Sequence, residues 1–190
     1  MASNQNIANA NKLGYVGRTP LTKRNSDSWF TPAEYLVSAH KVLGGITLDP
    51  FSDLKANEIV RAEFFFDERM DGLTQPWKKS DSTTVFMNPP YSAGMVKKCC
   101  ERFIEAWNQK EIKAGIILVN NATETRWFQH LLSNANSVCF TNHRISFWNA
   151  DGKVVSNNTR GQAFFYFGSV ANQFTEHFRA HGFCQVLNND

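Results

Sequence analysis

Asn88, Pro89, Pro90 and Tyr91 stand directly after an apolar β-type run, Thr84-Val85-Phe86-Met87. A strand that ends in turn chemistry is where open α/β sheets place their ligand crevices. Asn88 precedes a proline, so its backbone is pushed to the extended region. Pro89 and Pro90 remove two backbone N–H groups and fix two φ angles, leaving rigid carbonyls as acceptors. Such a set suits a planar amino compound. The Asn88 amide oxygen and the Pro89 carbonyl can accept its two N–H protons while Tyr91 stacks on the ring. The ordinary alternative for these residues is a Pro-Pro turn capped by Asn.

The elements around this tetrapeptide read as an alternation of helices and strands. Thr31, Pro32 and Glu34 have the spacing of a capping box, with Thr31 as N-cap, and predict a helix that runs to about Leu43 and stops at Gly44-Gly45. Ile46-Thr47-Leu48 predicts a short strand ending on Asp49-Pro50. Residues to about Lys79 are mixed, with the aromatic run Phe64-Phe65-Phe66 and a loop at Asp71-Gly72-Leu73 before Trp77. Met95, Cys99, Phe103 and Trp107 recur at helical spacing, with Lys97, Lys98 and Arg102 on other faces. Gly115 to Val119 is continuously apolar, as in a buried parallel strand. A helix from about Glu124 to Leu132 and a strand at Val138-Cys139-Phe140 follow. Ile145 to Trp148, a turn at Asn149 to Gly152, and Val154-Val155 read as a hairpin. Ala163 to Phe167 reads as a further strand, and a short helix is expected near Asn172 to Ala180. The pattern implies one α/β domain, its sheet mostly parallel with an antiparallel edge.

Composition narrows the class. The chain has 190 residues, 42% hydrophobic and 19% charged, enough for one sizeable core. A net charge of +3 permits contact with phosphate without demanding it. Cys99, Cys100, Cys139 and Cys184 show neither C-x-x-C spacing nor companion histidines, so all four read as reduced packing residues of a cytoplasmic protein. No His/Cys/Asp cluster has metal-ligand spacing. No leader and no run of about 18 apolar residues is visible, which speaks against secretion and a membrane span. Met1 to about Ser28 lacks periodicity and reads as a flexible N-terminal arm carrying Arg18, Lys23 and Arg24, with the folded domain expected over residues 29–190.

Several elements, in this order and spacing, resemble the class I S-adenosylmethionine-dependent amino-methyltransferases, and more narrowly the compact phage-encoded Dam-like DNA adenine-N6 methyltransferases. They are Trp29-x-Thr31-Pro32, Leu48-Asp49-Pro50-Phe51 with Asn57, Asp71-Gly72-Leu73 before Trp77, Val85 to Ser92, and Arg144-Ile145-x-Phe147. The likeness spans roughly residues 28 to 168. It implies a single-domain Rossmann-like class I methyltransferase fold, with S-adenosylmethionine as cofactor, S-adenosylhomocysteine as product and no metal. It implies double-stranded DNA as partner, with the target adenine flipped into the Asn88-Pro89-Pro90-Tyr91 pocket, and a location in the bacterial host cytoplasm. Trp29, Thr31 and Pro32 would line the methionine end of the cofactor. Asp49 would meet its amino group, Pro50 and Phe51 would shape that wall, and Asp71 would bond its adenine.

Two departures from the family pattern stand out. The loop after Asp49 reads Phe51-Ser52-Asp53-Leu54 and lacks Gly-x-Gly, and Glu63, Asp67 and Glu68 compete for the ribose hydroxyls. Taken singly, Asp49 also reads as a strand-end cap, Asp71-Gly72 as a turn and Trp77 as a core aromatic. His143, Arg144, Lys153 and Arg160 surround the expected hairpin, and His143, Arg144 and Arg160 are candidates for DNA contact, the alternative being solvated surface charge. Asn-Pro-Pro-Tyr also serves enzymes that methylate RNA guanine or protein glutamine, and a catalytically inactive nucleic-acid-binding relative is a third reading. The oligomeric state stays open.

Overall fold

The computed structural model of the protein describes residues 29–92, 94–148, 153–155 and 158–187. The expected arm over residues 1–28, its basic residues and the hairpin turn at 149–152 lie outside the described residues. The first helix, α1, covers Ala33–Leu43 and is followed by β1 (Leu48–Asp49), α2 (Leu54–Val60), β2 (Phe64–Phe65) and β3 (Thr84–Met87). Next come α3 (Met95–Asn108), β4 (Ala114–Asn120), α4 (Arg126–Asn134) and β5 (Ser137–Thr141). The chain then forms β6 (Phe147–Trp148), β7 (Val154–Val155), β8 (Gln162–Phe167), α5 (Ala171–Phe178) and β9 (Gly182–Val186).

Seven strands form one sheet in the order β2-β1-β3-β4-β8-β5-β9, and β6 and β7 form a separate antiparallel pair. The pairs β1–β2, β1–β3 and β3–β4 are parallel, whereas β4–β8, β5–β8 and β5–β9 are antiparallel. The strands that read as continuous apolar runs are buried on both faces, because helices cover both. Val85 and Met87, Ile117 and Val119, and Phe165 and Phe167 pack with Cys99, Phe103 and Phe128 of α3 and α4. The alternate residues Phe86, Ile116, Leu118, Phe164 and Tyr166 pack with Leu36 and Ala39 of α1 and Phe174 and Phe178 of α5. The period of two along each strand therefore builds two cores, one per face, in an α/β/α sandwich.

The order of the parallel strands creates the crevice. From β1 the chain goes first to one neighbour, β2, and then to the other, β3. The connections leave β1 in opposite directions and open a gap beyond the carboxyl ends of β1 and β3. Asp49 and Asn88 stand at those two ends.

One expectation is corrected here. The capping box does not form: α1 starts after Pro32 (φ −58°, ψ 145°) with no side-chain cap bond. Thr31 Oγ1 is engaged elsewhere, 3.3 Å from the Asn88 Nδ2 group that donates to it. Arg102, off the apolar stripe of α3, is nonetheless largely shielded, its side chain only 13% exposed. The stop of α1 is as read, with Gly44 left-handed (φ 71°) and its N–H donated to His40 O at 2.9 Å. All four cysteines are free, three of them buried.

Candidate active site

A cavity of about 400 Å³ opens at this switch point, walled by the ends of β1 and β3, the segment at 29–31 and the connection after β2. Asp49 and Asn88, at the two strand ends, both line it. Asn88 Nδ2 donates to the Trp29 carbonyl at 2.8 Å and to Thr31 Oγ1 at 3.3 Å. Only an NH₂ group can donate to a carbonyl oxygen, so these bonds settle which way the amide points. Oδ1 is left buried, without a hydrogen-bond partner. A buried acceptor without a partner costs roughly 1–3 kcal/mol, so a donor that reaches it is strongly favoured.

Asp49 is 4% exposed. Burial pushes its carboxyl from 3.8 up to about 7, against the opposing pull of the Phe51 N–H, which donates to Oδ1 at 3.2 Å. An opposite charge brought beside it would restore ionisation.

A further wall comes from residues 66–72, the first part of a connection (66–83) without helix or strand. Asp71 adopts a left-handed φ of 52° and its Oδ1 accepts the Leu73 N–H at 3.3 Å. Gly72 then lies against the backbone after β1, so closely that a Cβ there would stand 2.0 Å from the Pro50 carbonyl oxygen. Trp77, wholly buried, donates its indole N–H to Gly72 O at 2.8 Å. That bond is why an aromatic several residues downstream shapes the cleft.

The lining has one charge sign. Asp49, Asp53, Asp67, Glu68 and Asp71 contribute carboxylates, and among the described residues no lysine, arginine or histidine lines it. Asp53 is partly spent as the N-cap of α2, accepting the N–H groups of Lys55 and Ala56 at 2.8 and 2.9 Å. Asp67 likewise takes the N–H groups of Arg69 and Met70. Such a cleft repels phosphate and attracts a ligand that carries positive charge.

Of the residues singled out from the sequence, Trp29, Thr31, Asp49, Phe51, Asp71, Asn88, Pro89 and Pro90 line this one cavity. Pro32 and Pro50 stand beside it in the chain and are not among its lining residues. Tyr91 turns away, its hydroxyl donating to Leu118 O in β4 at 3.4 Å, where burial raises its pKa. Of the three acids that competed for a ribose, Asp67 and Glu68 reach the cavity and Glu63 does not.

The hairpin candidates lie outside the lining. The His143 ring bonds the Tyr35 hydroxyl at 3.0 Å and Asn142 Oδ1 at 2.6 Å. Arg144 and Arg160 are exposed. Both belong to a cluster organised by Gln162, which is fully buried. Its Oε1 accepts from Ile145 N at 2.9 Å, and its Nε2 donates to Arg160 O at 2.7 Å and to Asn120 Oδ1 at 3.1 Å. Asn120 ends β4, so both arginines gather at the sheet end where the cleft opens. The hairpin also pairs with the cleft wall, Phe30 and Trp148 exchanging backbone bonds of 2.8 and 3.1 Å.

Sequence reading assigned no site role to Phe66, Ser92 and Met95, which line the cavity, or to Gln162, which ties the hairpin together. It also missed Asn121, a second buried amide oxygen without a partner, just past β4. Its signal was an apolar run ending in Asn, the same signature that marked Asn88. Residues 18–179 match a family model described as DNA N-6-adenine-methyltransferase (Dam). No curated protein matches the chain.

Proposed function

Because this chain belongs to the Dam family of DNA N6-adenine methyltransferases, we propose that it methylates adenine N6 in DNA from S-adenosylmethionine, with the base extruded against the Asn88 loop. The observation that carries the reading is the partnerless Oδ1 of the cleft-lining Asn88, whose amide is fixed by two bonds at its other end.

The cleft suits that cofactor on charge. S-adenosylmethionine supplies an electrophilic methyl on a sulfonium and carries an ammonium group besides. The five carboxylates of the lining complement those charges. Asp49 would take the ammonium and regain its own ionisation. Asp67 or Glu68 would meet the ribose hydroxyls and Asp71 the adenine, between Phe51 and Phe66.

Adenine N6 is a weak nucleophile because its lone pair is delocalised into the ring. Asn88 Oδ1 accepting one N–H and the Pro89 carbonyl the other favour a pyramidal nitrogen, and both oxygens stabilise the positive charge that develops there. Their contribution is preorganised positioning, with no shifted acid or base required. Extrusion of the base costs a few kcal/mol. A stacking aromatic offsets roughly 1–3 kcal/mol of this, and Tyr91 would supply it by releasing Leu118 O. Arg144 and Arg160, at the same end of the sheet, would meet the DNA backbone or base edges.

Asn88→Ala tests the assignment. It should leave S-adenosylhomocysteine affinity nearly unchanged and lower methyl transfer to DNA by at least ~100-fold. A variant that methylates within a few-fold of the unmodified protein refutes the role given to Asn88.

A further inference from the structure

Arg102 and Glu111 lie off the cleft, on α3 and just before β4, yet an unbroken set of contacts leads from them to its wall. We infer that this pair positions the cofactor's adenine end, acting through Trp77 and Gly72; the inference rests on the reading of the cleft as an S-adenosylmethionine site. Residues 66–83 supply Phe66, Asp67, Glu68, Asp71 and Gly72 to the cavity without a helix or strand to hold them. Something outside that connection must fix it.

The geometry provides the fixture. Both terminal nitrogens of Arg102 donate to Glu111, Nη1 to Oε1 and Nη2 to Oε2, each at 2.9 Å. The two side chains are 13% and 20% exposed. Such a fork defines a plane as well as a distance. The guanidinium carbon stands 4.8 Å over the Trp77 ring, and Nη2 also reaches Gln75 O at 3.3 Å. Glu111 Oε2 accepts the Trp77 backbone N–H at 3.0 Å. Trp77 is therefore gripped on its face and at its backbone, and its indole N–H in turn holds Gly72 O at 2.8 Å. Gly72 abuts Pro50, and Phe51 meets Trp77 edge-on at 6.5 Å.

A shielded ion pair is a poor device for stability alone, since well-packed apolar residues often serve as well. What it adds is direction. The Arg102 guanidinium holds the Glu111 carboxyl below its ordinary range, so the pair stays charged and forked near neutrality.

The test compares Glu111→Gln, Arg102→Lys and the apolar pair Arg102→Met with Glu111→Leu. Binding of S-adenosylhomocysteine and of adenosine alone is measured by calorimetry, together with thermal midpoints and the split of KM for S-adenosylmethionine against kcat. Glu111→Gln and Arg102→Lys should raise Kd for both ligands by the same factor, between about threefold and thirtyfold, and raise KM while kcat at saturation is retained. Asp49→Ala, acting at the other end, should weaken S-adenosylhomocysteine and spare adenosine. The apolar pair should recover the thermal midpoint without recovering affinity. Unchanged affinities beside lowered midpoints, or an apolar pair that restores adenosine binding, overturn the inference and leave the cofactor reading standing. An unmodified protein that binds neither ligand overturns both.

Discussion

A buried carboxyl that titrates near neutrality makes cofactor binding depend on pH. Asp49 is raised to about 7 by burial, and only its ionised form attracts an ammonium group. The apparent Kd is then the intrinsic value divided by the ionised fraction. From pH 5.5 to 7.5 that fraction climbs from roughly 3% to roughly 76%, so affinity should rise about 25-fold. The ligand's own α-ammonium, with a usual pKa of about 7.7–8.0, is still roughly 60–75% protonated at pH 7.5, which trims the net rise to roughly 15- to 20-fold. Calorimetric titration with S-adenosylhomocysteine in two buffers of different ionisation enthalpy measures both the affinity and the proton released, which should approach one at pH 5.5. Asp49→Asn should bind weakly and with a flat profile. Stability moves the other way. An acid whose folded pKa is raised contributes fully below its unfolded value of 3.8 and loses that contribution as pH rises through about 7. Relative to Asp49→Asn, the ligand-free protein should therefore lose on the order of 4 kcal/mol between pH 4 and pH 8. A flat affinity profile in the unmodified protein, or the same slope in Asp49→Asn, refutes the placement of an ammonium group on Asp49.

Tyr91→Phe should retain most methyl transfer because the ring survives, whereas Tyr91→Ala should lose it, with partial relief when the target adenine is mispaired; equal damage from both assigns the role to the hydroxyl on Leu118 O. Gly72→Ala places a methyl 2.0 Å from the Pro50 oxygen, a backbone atom that cannot step aside. It should cost roughly 1–3 kcal/mol in denaturant unfolding and weaken S-adenosylhomocysteine binding, and unchanged binding would separate this turn from the site. Neutralising Arg144 or Arg160 should flatten the salt dependence of DNA binding by about one unit of slope for each phosphate left without its cation. Only Arg144 should also relax sequence preference across a randomised-site library, and unaltered slopes and site profiles would return both to solvated surface.

Much of the frame was legible because its signals are local. The apolar runs at Val85 and Ile116 belong to strands covered on both faces, and Gly44 ends α1 where the chain must turn left-handed. Asp49 and Asn88 could be picked out because each stands at a strand end. What stayed hidden depends on partners distant in sequence. Thr31 has the type and spacing of a helix cap, yet its hydroxyl serves Asn88, fifty-seven positions away. Arg102 could be placed only off the apolar stripe of its helix, because Glu111 and Trp77 fold around it from outside that helix. Helix α2 buries only Val60, so no apolar stripe announces it. Strand β9 is identified by its pairing with β5 rather than by its composition, and its Phe183 is exposed. The direction of Tyr91 is set by a carbonyl of the neighbouring strand, which no motif encodes.

The two bonds between Phe30 and Trp148 join the hairpin to a segment with another duty, for the preceding residue, Trp29, offers the carbonyl that orients the Asn88 amide. On the proposed reading, a duplex pressing on the hairpin would pull on the same stretch of backbone that orients Asn88 and, through Thr31, lines the cleft. The two proposed ligands would then communicate without touching. Linkage makes that communication symmetric: if a cognate duplex raises cofactor affinity by some factor, the cofactor raises affinity for that duplex by the same factor.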